Sequence, residues 1–270
     1  MSGMTVLFLG DVVGKPGRKA IAEYLPDFRK KEGVDFVVCN AENAAAGFGI
    51  NPKVAKEIYD AGVDVITLGN HTWDQNDTET MLAEDWKLLR PLNYPPNTAG
   101  QGYRVYPMPD GRKIGVVNLM GRLFMEPGLD CPFQASRKLM RDLRIGDGCD
   151  ALVVDVHAEA SSEKMCLGHI WDGKASLVVG SHTHTPSADA RIMTGGTGYQ
   201  SDAGMCGHYD SSLGMSYPGA LARFEKKGKV RLEVSVGEGT MCGTLVHLDD
   251  SGKCTAIRPI RIGGVLSQAV

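Results

Sequence analysis

The sequence has no Cys-x-x-Cys pair, no apolar run of membrane-spanning length and no marked excess of either charge. Its seven cysteines (Cys39, Cys131, Cys149, Cys166, Cys206, Cys242 and Cys254) are scattered and odd in number. That spacing suits neither a disulfide framework nor a thiolate zinc site, so reduced thiols in a cytoplasmic protein are expected. No stretch approaches the ~20 apolar residues that a bilayer-crossing helix needs, and no membrane association is expected. The opening Met1-Ser2-Gly3-Met4 leads into a short apolar stretch closed by Asp11. It lacks the basic flank, longer apolar run and cleavage site of a secretory signal, so none is expected. A net charge of −3 argues against a polybasic nucleic-acid surface and against an acidic solvating tail. Two nucleotide motifs are missing as well. Gly10-Asp11-Val12-Val13-Gly14-Lys15-Pro16 lacks the spacer and the Ser/Thr of a phosphate loop, and no G-x-G-x-x-G follows the first strand.

What is present is a chain of 270 residues, 43% hydrophobic, long enough to bury a large core. The 34 glycines show no period and read as turns and tight strand ends. Apolar runs at Thr5–Gly10, Asp35–Asn40, Asp64–Gly69, Lys113–Leu119, Ala151–Val156 and Ser176–Gly180 are nearly continuous, as in strands buried on both faces. Between them, Lys15–Lys31, Pro52–Ala61, Thr78–Trp86, Pro132–Leu143 and Ser162–Trp171 carry helical spacing. This alternation predicts an α/β fold with a largely parallel sheet. Beyond about residue 187 the texture changes. Leu221–Lys226, Val230–Val236, Gly243–Leu248 and Thr255–Ile262, separated by turn residues, predict an antiparallel meander. No linker or repeat divides the chain, and a single domain over residues 1–270 is expected. Met215–Ala222 and Gly237–Leu248 are apolar enough for contacts in a homo-oligomer, although packing within the sheets would explain them equally.

The polar residues that end the apolar runs are the most informative feature. The runs close in Gly10-Asp11, in Asn40-Ala41-Glu42-Asn43, in Gly69-Asn70-His71, in Asp155-Val156-His157 and in Gly180-Ser181-His182-Thr183-His184. In open α/β sheets the ligand crevice lies outside the carboxyl ends of the strands, so these groups are expected on one rim. A lone Asp there is as readily a helix cap as a ligand. His182 and His184 alternate in an extended segment and so share a face. Imidazole, carboxylate and amide oxygen without thiolate suit a hard-to-borderline divalent metal. The number of such groups suits two ions sharing a bridging carboxylate.

Gly10-Asp11, Gly69-Asn70-His71, the isolated His157 and Gly180-x-His182-x-His184 resemble the calcineurin-type metallophosphoesterases in order and spacing. Val13 stands where that superfamily has a histidine, and Ala41-Glu42-Asn43 replaces its second motif. Those departures, with Gly69-Asn70-His71-Thr72-Trp73-Asp74, Arg90-Pro91-Leu92-Asn93-Tyr94-Pro95 and His157-Ala158-Glu159-Ala160-Ser161-Ser162-Glu163-Lys164, are similar to the YmdB-like phosphodiesterases. The resemblance implies two stacked mixed β-sheets flanked by helices. It implies that Asp11, Glu42, Asn43 and His184 hold one ion, with Glu42 bridging to a second held by Asn70, His157 and His182. It implies iron or manganese as the two metals, His71 as proton donor rather than ligand, and 2',3'-cyclic nucleotides opened to 3'-nucleotides as the reaction.

A metal-bridged hydroxide attacking phosphorus, with His71 protonating the departing sugar oxygen, would complete that chemistry. Asp74 could orient His71, but helix capping is the favoured reading of that position. His208 and Tyr209 could contact phosphate. Trp73 and Tyr94 could stack a base, although such aromatics more often pack. Lys164 is expected to pair with Glu163 or Glu159 on a solvated helix face. A phosphomonoesterase or protein phosphatase on the same site, and a regulatory nucleotide- or metal-binding module with incidental turnover, are the alternatives.

Overall fold

The computed structural model describes residues 3–125, 128–226, 228 and 230–269. In chain order the first elements are β1 (Met4–Leu9), β2 (Asp11–Val12), α1 (Gly14–Glu32), β3 (Phe36–Asn40), α2 (Pro52–Asp60), β4 (Val65–Thr67), α3 (Thr78–Glu84) and β5 (Leu88–Leu89). The middle of the chain forms β6 (Tyr103–Pro107), β7 (Lys113–Met120), α4 (Pro132–Asp142), β8 (Arg144–Ile145), β9 (Gly148–Cys149), β10 (Ala151–His157), α5 (Ser161–Trp171) and β11 (Leu177–Ser181). The remainder forms β12 (Arg191–Ile192), β13 (Gly198–Gln200), β14 (Met205–Cys206), α6 (Tyr217–Phe224), β15 (Met241–Leu248) and β16 (Cys254–Ile262).

Two six-stranded mixed sheets dominate, with strand orders β16-β15-β1-β3-β4-β5 and β12-β13-β11-β10-β7-β6. In the first, β1, β3, β4 and β5 are parallel and β15 pairs antiparallel with β1. In the second, β7, β10, β11 and β13 are parallel between antiparallel edges.

Side-chain alternation along each strand sorts the apolar residues into layers. Val6, Phe8, Val38 and Val65 of the first sheet join Ile114, Val116, Val153 and Val179 of the second in one buried cluster, the layer between the sheets. Leu7, Leu9, Val37 and Ile66 face the other way, onto Ile21, Leu25, Val54 and Ile58 of α1 and α2. Leu152, Val154 and Val178 pack outward with Leu139 of α4 and Leu167 and Trp171 of α5. Both faces of each central strand are therefore covered, which is why the runs read as continuous. Truncating one such Leu or Ile to Ala would cost about 2–5 kcal/mol.

The parallel strands carry the site. β3 and β4 of one sheet and β10 and β11 of the other deliver their carboxyl ends to the shared crevice, and β1 leads into Asp11.

The predicted meander is corrected in part. β15 and β16 form an antiparallel hairpin, but Leu221–Lys226 is not a strand. It falls largely in α6, which has Pro218 in its first turn and buries Gly219 and Ala220. A short apolar run does not by itself separate strand from helix, and the first-turn proline settles it. Among the described residues Val230–Val236 forms no strand and makes one isolated bridge, Val234 to Met215, and Val236 is 93% exposed. Gly237–Leu248 is largely taken up by β15, between β1 and β16.

Candidate metal centre and active site

The sequence-predicted residues converge. His157, at the end of β10 and fully buried, turns Nε2 toward Glu42 Oε1 at 3.2 Å, Asn70 Oδ1 at 3.0 Å and His182 Nδ1 at 3.1 Å. One nitrogen or oxygen atom from each of Glu42, His157 and His182, able to ligate a metal, lies within 4.8 Å of the others. Beside them, His184 Nε2 faces Asn43 Oδ1 at 3.2 Å. Asp11 stands between the two groups. Its Oδ2 accepts the His182 backbone N–H at 2.9 Å, and its Oδ1 lies 3.7 Å from His157 Nδ1.

Backbone geometry serves this arrangement. His182 and His184 both have positive φ, 98° and 63°, beyond the end of β11, so the extended segment expected here is corrected; such backbone costs energy in a residue with a Cβ and is typical of functional sites. At the end of β4, a Cβ on Gly69 would collide with the His157 ring and the Glu42 carboxylate, so only glycine lets those groups close in.

Three observations fit a cation. Asn43 Nδ2 donates to Gly47 O, so Oδ1 is the atom facing His184. His184 Nδ1 is occupied by Leu213 O at 2.9 Å, which leaves a lone pair on Nε2. With the ring neutral, two acceptors face each other across 3.2 Å, an arrangement that repels unless positive charge lies against both. Asp11 Oδ1 is buried without a hydrogen-bond partner. The carboxylates and imidazoles also hold one another far from their ordinary protonation. Burial raises Asp11 to about 6 against the opposing charges of His184 and His157. Burial disfavours the Glu42 anion too, but the charge and hydrogen bond of His157 outweigh it and lower that carboxyl to about 2. For His157 burial is outweighed in turn by Glu42, Asp11 and Asp155, which raise it to about 9. Burial and the charge of His157 push His182 down to about 3. Oxygen and imidazole donors without thiolate suit a divalent metal.

His71 follows Asn70 but points elsewhere. Its backbone N–H donates to Glu42 Oε2 at 2.9 Å, while its ring Nδ1 meets Asp74 Oδ2 at 2.7 Å and its edge packs on Phe48. The favoured reading of Asp74 as a helix cap is therefore corrected. Asp77 takes the N-cap position of α3, and the three-residue spacing of a turn brings Asp74 to His71 instead. Trp73, 38% exposed, packs edge-on against Tyr94 near this rim.

Tyr209 and His208 lie behind His184. The Tyr209 hydroxyl donates to His184 O and receives the Met205 N–H, and His208 Nδ1 meets Ser235 Oγ. Lys164 is a second correction. It is 2% exposed and pairs with Asp202 at 2.7 Å, because α5 turns that position onto the sheet rather than to water. Asp202 also receives the N–H of Thr183, between the two histidines. The partner lies 38 residues away, beyond the reach of helix spacing. Sequence reasoning also missed a buried set around Asp155, namely Asn40, Thr67, Asn118 and Ser181. Its trace was visible only as polar residues set among apolar ones.

None of the seven cysteines is disulfide-bonded, and no helix among the described residues is long and apolar enough to cross a membrane. The YmdB-like protein family matches residues 7–260. A relative from Bacillus subtilis (strain 168), named 2',3'-cyclic-nucleotide 2'-phosphodiesterase, is 41% identical over 250 residues, 93% of each chain. The crystal structure of a hypothetical protein from Thermus thermophilus superposes with a TM-score of 0.90 at 40% identity, covering 97% of this chain and 100% of that one. That of a novel phosphatase from Mycoplasma pneumoniae gives a TM-score of 0.88 at 34% identity, covering 97% and 95%. The chain belongs to the YmdB-like family and is a phosphoesterase of the metallophosphoesterase fold.

Proposed function

We propose that this enzyme hydrolyses 2',3'-cyclic nucleotides to 3'-nucleotides at a site for two divalent metal ions, iron or manganese. The observation that carries the reading is the crevice itself, where inward-facing acceptors lie beside a histidine not spent on them. Asp11, Asn43 and His184 would hold one ion, Asn70, His157 and His182 the other, and Glu42 both. When bound, the ions would supply positive charge to the phosphoryl oxygens and make an attacking water more acidic.

The chain's own residues supply the rest. His71 is anchored through its backbone to Glu42 and through Nδ1 to Asp74, which leaves Nε2 to carry a proton. The bond broken is that between phosphorus and the 2' oxygen, a poor leaving group as an alkoxide. His71 Nε2 gives that oxygen its proton as the bond breaks, and Asp74 orients the ring through Nδ1. Trp73 and Tyr94 offer aromatic surface to a base at the rim. His208 and Tyr209 enter this reading behind the phosphate site, with the Tyr209 hydroxyl holding the His184 carbonyl. The free cysteines and the small-molecule substrate are in keeping with a cytoplasmic enzyme.

The test is hydrolysis of 2',3'-cyclic AMP by manganese-loaded protein, with the product separated from both nucleotide isomers. Release of 3'-AMP is expected. Release of 2'-AMP would overturn the assignment of the broken bond. Turnover of simple phosphomonoesters alone would replace the reading by a phosphatase.

A further inference from the structure

Beneath the cluster lies a carboxylate that the chemistry above does not use. Asp155 sits on β10 two residues before His157, fully buried between the two sheets. From the first sheet, Thr67 Oγ1 donates to its Oδ2 at 2.6 Å and Asn40 Nδ2 at 3.0 Å. From the second, Asn118 Nδ2 reaches the same oxygen at 3.5 Å, and Ser181 Oγ donates to Oδ1 at 2.7 Å. Donors converge on it from both sheets, so both of its oxygens act as acceptors.

Ser181 has one hydroxyl proton. Given to Asp155, it leaves only oxygen lone pairs for His157 Nδ1, which lies 2.9 Å from the same Oγ. Nδ1 must then bear the ring proton and donate. No other neighbour competes for it. Asn40 Nδ2, 3.3 Å from Nδ1, is a donor whose shortest bond goes to Asp155 Oδ2 at 3.0 Å, and Asp11 Oδ1 at 3.7 Å is beyond hydrogen-bond range. Nε2, facing Glu42, Asn70 and His182, is therefore the nitrogen left for a metal.

We propose that Asp155, acting through Ser181, is a positioning residue that fixes the His157 ring with Nε2 as its metal-binding nitrogen. The proposal rests on the reading of His157 as a metal ligand. It assigns a role to a polar node in the layer between the sheets, where an apolar residue would otherwise pack. The same carboxylate ties that ring to both sheets at once.

The experiment compares wild type, Asp155→Asn and Ser181→Ala as full chains, first metal-free and then titrated with zinc. In Asp155→Asn the amide oxygen is drawn to the side where Thr67, Asn40 and Asn118 donate, and the amide NH2 meets Ser181. Ser181 must then turn its proton toward His157 Nδ1, and the ring proton moves to Nε2. The alanine variant removes the acceptor altogether. Zinc affinity, measured by competition with a chromophoric chelator, is expected to fall about ten- to a hundredfold in both variants. Imidazole nitrogen NMR of zinc-loaded wild type is expected to place the His157 proton on Nδ1, and that signal is expected to be lost in Asp155→Asn. A merely structural Asp155 would lower the melting temperature but leave both the affinity and the Nδ1 signal unchanged, and that result overturns the proposal. Should Asp155→Asn fail to fold, Ser181→Ala decides by its zinc affinity. Wild type that binds no zinc overturns the metal reading and this proposal together. Wild type that binds, with variants binding equally tightly, overturns the proposal alone.

Discussion

The two sheets bring different chemistry to one crevice. From the rim of the first come oxygen donors, Asp11, Glu42, Asn43 and Asn70, and from the rim of the second come the imidazoles His157, His182 and His184. They are also held differently. Oxygen donors of the first sheet lean on backbone: Glu42 on the His71 N–H, Asp11 on the His182 N–H, and Asn43 on Gly47 O. Each imidazole has one nitrogen turned inward and the other matched to its own oxygen. For His157 that oxygen is Ser181 Oγ, for His182 it is Glu159 Oε2, and for His184 it is Leu213 O. The difference follows from the side chains themselves. Either oxygen of a carboxylate can accept, so it needs only aiming, whereas a neutral imidazole must also be told which nitrogen keeps its proton.

Removing an imidazole should therefore have the largest effect. His157→Ala is expected to lower kcat/KM by about a thousandfold, the equivalent of several kcal/mol of charge stabilisation, with one metal equivalent lost on elemental analysis. His71→Ala should separate proton donation from metal holding. A fall in kcat of roughly 10²–10⁴-fold is expected with metal content unchanged, and loss of metal instead would place His71 among the ligands.

Lys164→Met tests the second sheet's reliance on buried charge. It leaves Asp202 buried without its counter-ion, and chemical unfolding should show a loss of about 3–5 kcal/mol, much of it restored by adding Asp202→Asn. A melting curve like that of wild type would show that Asp202 does not depend on the pair. Asp74→Asn should lower kcat about tenfold with unchanged metal content, a smaller effect than loss of the ring it orients.

The smallest effect concerns Asp189, which receives Ser187 Oγ, Ser201 Oγ and the Ser201 N–H close to Asp202. Burial would raise its pKa, but those donors and Arg191 outweigh burial and lower it. The folded state thus binds this proton less readily than the unfolded chain. Stability from this group is present above the unfolded pKa of 3.8 and is lost as pH falls through the lower, folded value. Thermal melts of wild type should show that decline below about pH 3.8, and Asp189→Asn should flatten it.

The fold was legible because β1, β3, β4, β7, β10 and β11 are covered on both faces, so burial wrote itself into unbroken apolar runs. The inward-facing groups were legible because each ends such a run, where Asp11, Glu42, Asn70, His157 and His182 interrupt the apolar texture. Their supports were not. Asp155 was read only as part of the run ending in His157, and its donors come from four other strands. Lys164 sits beside Glu163, a sequence neighbour that suggests a surface pair, while Glu163 actually receives the backbone N–H groups of Arg122 and Leu123. Helix α6 was hidden by its shortness, since eight residues hold too few turns for periodicity to outweigh apolar content.

The pairing of β1 with β15 has a consequence for how the protein is made. Met4–Leu9 leaves the ribosome before its antiparallel partner Met241–Leu248, which is translated only after every residue of the crevice. Until the β15–β16 hairpin arrives, one edge of β1 is a bare row of amides and carbonyls on an apolar strand, open to pairing with another chain. Closing so distant a contact is slow, and partly built α/β sheets are vulnerable to aggregation meanwhile. A nascent chain with every inward-facing group already synthesised would still lack the strand that seals the sheet beneath them, so productive folding is a late event set by the hairpin's emergence.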